Sequence, residues 1–193
     1  MNVVADCRDA DKRRAAEAAV GEIRAGMLVG LGTGSTAAHA IRAIGERGLK
    51  IDAVATSAAS AALAQAVGIR VRDFADVTRV DLTIDGADEI DDRFRAIKGA
   101  GGAMLREKVV AAASDRMVVI ADASKRVAAI GAAALPVEVL PFARGYVRDA
   151  LGVLFGRVEE RVGYLTDNGN LVMDCGARRS DDWDELAHRL EAV

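Results

Sequence analysis

One short stretch constrains this chain more than any other. Met27 to Leu31 is an apolar run that breaks into Gly32-Thr33-Gly34-Ser35-Thr36 and then into a helical pattern, AAHAIRAIGER. A strand, a glycine-dense loop and a helix in that order belong to a parallel α/β sheet, with the loop at the carboxyl end of the strand. Gly30, Gly32 and Gly34 let the backbone come close to a ligand, and Thr33, Ser35 and Thr36 add hydroxyls. The loop N–H groups and the dipole of the following helix can then hold a phosphate. A tight turn that binds nothing is the plain alternative. The loop fits a loose dinucleotide fingerprint, but that pattern wants an acid at the end of the second strand, where Thr56 and Ser57 stand. The Gly-Lys-Ser/Thr ending of a nucleotide P-loop is also missing. The phosphate therefore belongs to a small metabolite, and a sugar phosphate is the natural candidate.

The same alternation continues downstream. Helices are expected at 9–24, 58–67 and 103–113, and strands at 52–55, 69–72, 80–84, 94–97 and 117–121. After about residue 130 the pattern changes to a strand at 137–141, a helix at 144–155, a strand pair around Thr166–Asn170 and a final helix at 183–193. This gives an α/β domain over 1–130 and a small α+β domain over 131–193. Hydrophobic residues make up 51% of the 193 and aromatics only 4%, so the core is built from Ala, Val, Leu and Ile. The 26 Lys and Arg nearly balance 29 Asp and Glu, which leaves no global field to recruit nucleic acid or a membrane surface. Cys7 and Cys175 are too few for a disulfide framework or a thiolate metal site, and a reducing cytoplasm is expected. No apolar run is long enough to span a bilayer, and the charged N-terminus does not read as a signal peptide.

The charged residues near the loops supply the candidate chemistry. Asp85, Asp88 and Glu89 end an apolar strand and place carboxylates at the carboxyl edge of the sheet, where open α/β folds bind ligands. Lys98 opens the run KGAGG, whose glycines let N–H groups point at a phosphate or a developing oxyanion beside a fixed positive charge. Glu107, between Arg106 and Lys108, is the kind of group that moves a proton between adjacent carbons; a surface salt bridge is its other reading. His39, His188 and Trp183 read as structural residues.

Six blocks in order, GLGTGSTA, DGADEID, KGAGGAMLREK, ADASK, LPVEVLPFA and TDNGN, resemble the motif series of the ribose-5-phosphate isomerase A family over residues 12–175. The resemblance implies a Rossmann-like sheet domain carrying a smaller α+β domain. The implied activity is an aldose–ketose isomerisation of ribose 5-phosphate and ribulose 5-phosphate, in the non-oxidative pentose phosphate pathway, without a metal or an organic cofactor. It further implies a homo-oligomer, a dimer or tetramer. Thr33, Gly34, Ser35 and Thr36 would hold substrate, with Lys12 reaching in from the first helix. Asp85, Gly86, Ala87 and Asp88 would line the sugar. Lys98, Gly99, Ala100 and Gly101 would form a second substrate loop, and Lys125 would add a basic contact. Glu107 would be the base, Asp85 would assist ring opening, and Lys98 would stabilise an enediolate, with Asp88 beside them.

Two features depart from the family pattern. Glycine normally stands where this chain has Ala100, so a Cβ there is expected to crowd the substrate or to be tolerated. Relatives also continue past Val193 with a segment that returns to the large sheet, and its absence would uncover an edge or a groove. Two other functions compete: a phosphosugar sensor that binds without turnover, and an isomerase for another phosphosugar, the latter suggested by Ala100 and the segment Thr56–Ser60.

Overall fold

A computed structural model describes residues 3–178, 180 and 182–193. The elements run α1 (Val3–Val20), β1 (Leu28–Leu31), α2 (Ser35–Glu46), β2 (Asp52–Ala55), α3 (Ala58–Ala66), β3 (Arg70–Val71), β4 (Leu82–Gly86), β5 (Glu89–Ile90), β6 (Ala96–Ile97), α4 (Leu105–Ala112), β7 (Met117–Ile120), β8 (Leu135–Val139), α5 (Arg144–Phe155), β9 (Val158–Glu160), β10 (Leu171–Cys175) and α6 (Trp183–Glu191). They divide into two compact units: residues 1–87 with 105–126, and residues 88–104 with 127–193.

The first unit is the expected α/β domain. Its five strands are ordered β3-β2-β1-β4-β7 and every pair is parallel. From β1 the chain winds outward on one side through β2 and β3, and on the other side through β4 and β7. The order therefore reverses between β1 and β4, the switch point at which such sheets open a crevice for ligands. One face is packed by α1 and α2, with Val29, Leu31, Ile41, Ile44 and Ile84 fully buried between them. The other face is covered by α4 through Val54, Val80 and Val110. The first helix ends at Val20 rather than at 24, because Gly21 and Ile23 turn back onto the carbonyls of Glu17, Ala18 and Val20. That turn carries Ile23 into the core.

The second unit has a three-stranded antiparallel sheet, β8-β10-β9, with α5 packed on it through Leu151 against Val139, Met173 and Cys175. Thr166–Asn170 lies in the connection between β9 and β10, an antiparallel strand pair as expected around that segment. β8 ends at Val139, two residues earlier than expected, because Pro141 opens a short 3-10 turn. The division differs from a cut between 130 and 131 in two respects: 88–104 belongs to the second unit, and so does 127–130. Segment 88–104 carries the hairpin β5-β6, unrecognised in the sequence beyond its second strand. It is fastened to the second unit by the Val127 N–H donating to the Ile90 carbonyl and by the buried Glu89 carboxylate, which accepts the N–H groups of Gly131 (2.7 Å) and Ala133 (2.8 Å).

Candidate active site

In the first unit the site grows out of the switch point. Leu31 and Ile84 are register partners, so the loop after β1 and the end of β4 leave the sheet side by side. Asp85, 1% exposed, accepts the N–H groups of Thr33 (3.1 Å) and Gly86 (2.7 Å) and so fixes the loop across the two strands. Position 32 admits only glycine, because a Cβ there would come within 2.1 Å of the Asp85 Oδ1 and 2.6 Å of its Cα. A second brace lies beneath. Thr56 donates its hydroxyl to the Leu31 carbonyl (3.1 Å), so the 2.8 Å contact between the Thr33 and Thr56 hydroxyls has Thr33 as donor. Ser60 donates to the Gly32 carbonyl (2.7 Å). Thr56 and Ser60 are thus buried supports of the loop, a role that the sequence did not announce.

Gly34, at φ 101°, precedes α2 without a side-chain cap, and no acid stands in the first turn of the helix. The N–H groups there face the loop with the positive end of the helix dipole behind them, an arrangement suited to an anion. Lys12 on α1 donates to the Ser35 hydroxyl (2.9 Å). Both Lys12 and Lys125 also lie close enough to act on the Asp122 carboxyl at the end of β7. Burial raises the pKa of that group, but the Ser124 hydroxyl and N–H bonds and the two lysines outweigh it, so the net shift is downward. The structure therefore brings together Lys12, Ser35, Asp122 and Lys125. Asp122 was missed in the sequence, although it ends an apolar strand as Asp85 does.

Glu107 lies in the first turn of α4 and is 7% exposed. Its placement follows from how α4 crosses the sheet. The Ala113 carbonyl at the end of α4 accepts the Val80 N–H at the amino edge, so the first turn of the helix points toward the carboxyl edge. The glycine at 30 brings the helix close, since a Cβ there would meet Val110 Cγ1 at 2.8 Å and Thr83 Oγ1 at 2.0 Å. Glu107 stands one turn before Val110 on the same inward face. A buried carboxylate at the ligand edge of the sheet fits proton transfer better than a surface salt bridge does.

In the second unit, Lys98–Gly101 follows β6 as a pinned loop. The Asp88 carboxylate accepts the Ala100 N–H (2.9 Å), Arg161 donates to the Ala100 carbonyl (3.1 Å), and Tyr164 donates to the Gly101 carbonyl (3.2 Å). Arg161 is held by Asp174 at 2.5–2.9 Å and lies over the Tyr164 ring, so the brace is itself braced. Nothing in the sequence around Arg161 and Tyr164 marked them. Gly99, at φ 99°, requires glycine, whereas Ala100 is exposed and has no left-handed backbone, so its Cβ strains nothing in the loop. Asp85, Asp88 and Glu89 all accept backbone N–H groups. Each serves a different set of backbone N–H groups, and Glu89 is a structural tie within the second unit. Among the described residues no group of three His, Cys, Asp or Glu is placed to hold a metal ion.

The profile of the ribose 5-phosphate isomerase A (phosphoriboisomerase A) family matches residues 52–193. The ribose-5-phosphate isomerase A of Sphingopyxis alaskensis is 55% identical over 173 residues, covering 86% of this chain and 76% of that protein. Among solved structures, ribose 5-phosphate isomerase A from Neisseria gonorrhoeae superposes with a TM-score of 0.88 at 41% identity, over 94% of this chain and 83% of the other. A D-ribose-5-phosphate isomerase in complex with phospho-erythronic acid superposes with a TM-score of 0.90 at 32% identity, over 100% and 87%. With the family profile matched over residues 52–193 and relatives at this level of identity over most of its length, the chain belongs to the ribose 5-phosphate isomerase A family.

Proposed function

We propose that this chain interconverts D-ribose 5-phosphate and D-ribulose 5-phosphate, the aldose–ketose step of the non-oxidative pentose phosphate pathway. The observation that carries the reading is the buried Glu107 at the edge of the sheet where the Asp85-braced glycine loop emerges, in a chain 55% identical to an isomerase of that name. A relative's capture of phospho-erythronic acid, a phosphorylated sugar acid, agrees with a phosphosugar as ligand. The phosphate is assigned to Thr33–Thr36 with Lys12 and Lys125, and the sugar to Asp85–Asp88 and Lys98–Gly101.

Asp85 assists opening of the sugar ring. Glu107 then takes the proton from C2, and the C–H electron pair forms the C1–C2 double bond as the aldehyde oxygen becomes an enediolate oxygen. Lys98 and loop N–H groups stabilise that charge. The O2 proton passes to O1, Glu107 returns its proton to C1, and the ketose results with no net oxidation. The protein is proposed to act as a homo-oligomer in the cytoplasm; its two free thiols suit a reducing compartment. No described helix is long and apolar enough to cross a membrane.

The test is turnover of ribose 5-phosphate by the purified chain in excess chelator, beside tetrose and hexose phosphates. Preferred conversion to ribulose 5-phosphate supports the reading. Binding without turnover would identify a sensor, and preference for another phosphosugar would identify a paralogue.

A further inference from the structure

The loop that follows β6 is held peptide by peptide, and one donor within it is left over. The Ala100 N–H donates to the Asp88 carboxylate (2.9 Å) and the Gly102 N–H to the Gly99 carbonyl (2.9 Å). Between them, the Gly101 N–H meets no acceptor among the described residues. Its direction is fixed all the same. Across a planar trans peptide the carbonyl of one residue and the N–H of the next point opposite ways, so whatever holds the Ala100 carbonyl also aims the Gly101 N–H. That holder is Arg161, at 3.1 Å. Position 101 has room as well. The residue is exposed, a Cβ there would meet nothing within 4 Å, and its backbone is not left-handed, so the packing of the chain gives no reason for glycine. A donor without an acceptor beside an open glycine is a place where a ligand can come against the backbone.

We propose that Arg161 is a positioning residue for the substrate: by holding the Ala100 carbonyl it turns the Gly101 N–H outward as a donor to the sugar end, where negative charge develops during isomerisation. The guanidinium is placed for this task. Its Nε and Nη2 fork onto the Asp174 carboxylate at 2.9 and 2.5 Å, which leaves Nη1 for the carbonyl and sets its direction. The Tyr164 ring lies 5.4 Å from the guanidinium, and its hydroxyl donates to the Gly101 carbonyl, so the following peptide is fixed too. Gly102 packs so closely on that ring that a Cβ would fall 1.9 Å from the hydroxyl. A loop with glycine at 99, 101 and 102 would otherwise spread over many conformations. Ordering it before the substrate arrives removes that cost from binding and from the chemical step. All of these groups lie within the second unit.

The role rests on the proposed isomerase reading, and the experiment separates the two. Wild type, Arg161→Met and Arg161→Met/Asp174→Asn are compared, with folding verified by circular dichroism; the double variant leaves no carboxylate unpaired at the site. Steady-state turnover of ribose 5-phosphate is read beside calorimetric binding of phospho-erythronic acid, which carries a carboxylate as well as a phosphate, and of inorganic phosphate. Both variants are expected to lose at least about tenfold in kcat, short of the ~10²–10³-fold of an oxyanion donor removed outright. They are expected to bind the sugar acid at least about tenfold more weakly and inorganic phosphate within about twofold of wild type, because the donor serves the sugar end. The Asp174 change is expected to add nothing to Arg161→Met, since both act through one contact. Folded variants with kcat and sugar-acid affinity within about threefold of wild type, or with an equal loss for inorganic phosphate, would overturn the role of Arg161. A wild type that binds the sugar acid in an Arg161-dependent way without turning over ribose 5-phosphate would overturn the isomerase reading and keep the donor. One that neither binds nor turns over would overturn both.

Discussion

The Asp85 carboxylate accepts the Thr33 N–H at 3.1 Å and so ties the end of β4 to the loop that follows β1. It also accepts from Gly86, and the close approach of Gly32 leaves it no room to move. Asp85→Ala leaves two N–H groups without this acceptor and is expected to cost roughly 1–3 kcal/mol of stability. Gly32→Ala is expected to be at least as damaging, because its Cβ would overlap backbone as well as carboxylate. Chemical denaturation of both variants checks the ordering, and KM for ribose 5-phosphate should rise in each.

Ala100 is expected to be neutral. Its side chain is exposed and its backbone lies outside the left-handed region. Ala100→Gly should change stability by less than about 0.5 kcal/mol, the range of ordinary surface substitutions. Steady-state kinetics should agree within about threefold; a large gain in activity would show that the Cβ does crowd substrate.

The acid limb of stability should depend on Asp122. Its folded pKa is lowered despite burial, through the Ser124 bonds and the charges of Lys12 and Lys125. A lowered carboxylate contributes stability that is fully present above the unfolded value, near ~3.9, and is lost as pH falls through the folded one. Asp122→Asn should therefore lower the melting temperature at pH 7 and narrow the gap from wild type toward pH 3. A gap that widens on acidification would contradict the assignment.

The sequence was most legible where local pattern and tertiary role agree. β2 and α5 fall at the residues expected, since an apolar run between turn residues and an amphipathic stretch of 12 residues leave little choice. The glycine loop was legible for the same reason, and its three glycines predicted a close approach without revealing that Asp85 is what approaches. The β5-β6 hairpin was obscured because its strands are only two residues long and the charged Glu89 and Asp91 leave no apolar run there. Both are buried, and their charges are met by backbone N–H groups and, for Asp91, by Arg95. Thr56, Ser60, Arg161 and Tyr164 were illegible because they hold loops that lie 23 to 63 residues away in sequence. No periodicity reports a contact of that kind.

The two thiols should differ sharply. Cys7 is exposed, while Cys175 is fully buried and its pKa is pushed up to about 11 by burial and then by Asp174. A thiolate-selective reagent at pH 8 should label one thiol in the folded protein and two after denaturation. Rapid labelling of both in the native state would show that β10 opens.

The central claim is that Glu107 moves the proton between C2 and C1. Steady-state turnover of ribose 5-phosphate by wild type and Glu107→Gln, with folding verified by circular dichroism, tests it most directly. The amide cannot accept the proton, so kcat is expected to fall by roughly 10²–10⁴-fold, the usual contribution of a positioned base, while the fold is retained. A folded Glu107→Gln protein with kcat within about tenfold of wild type would contradict the account, because a loss that small lies below the contribution of a positioned base.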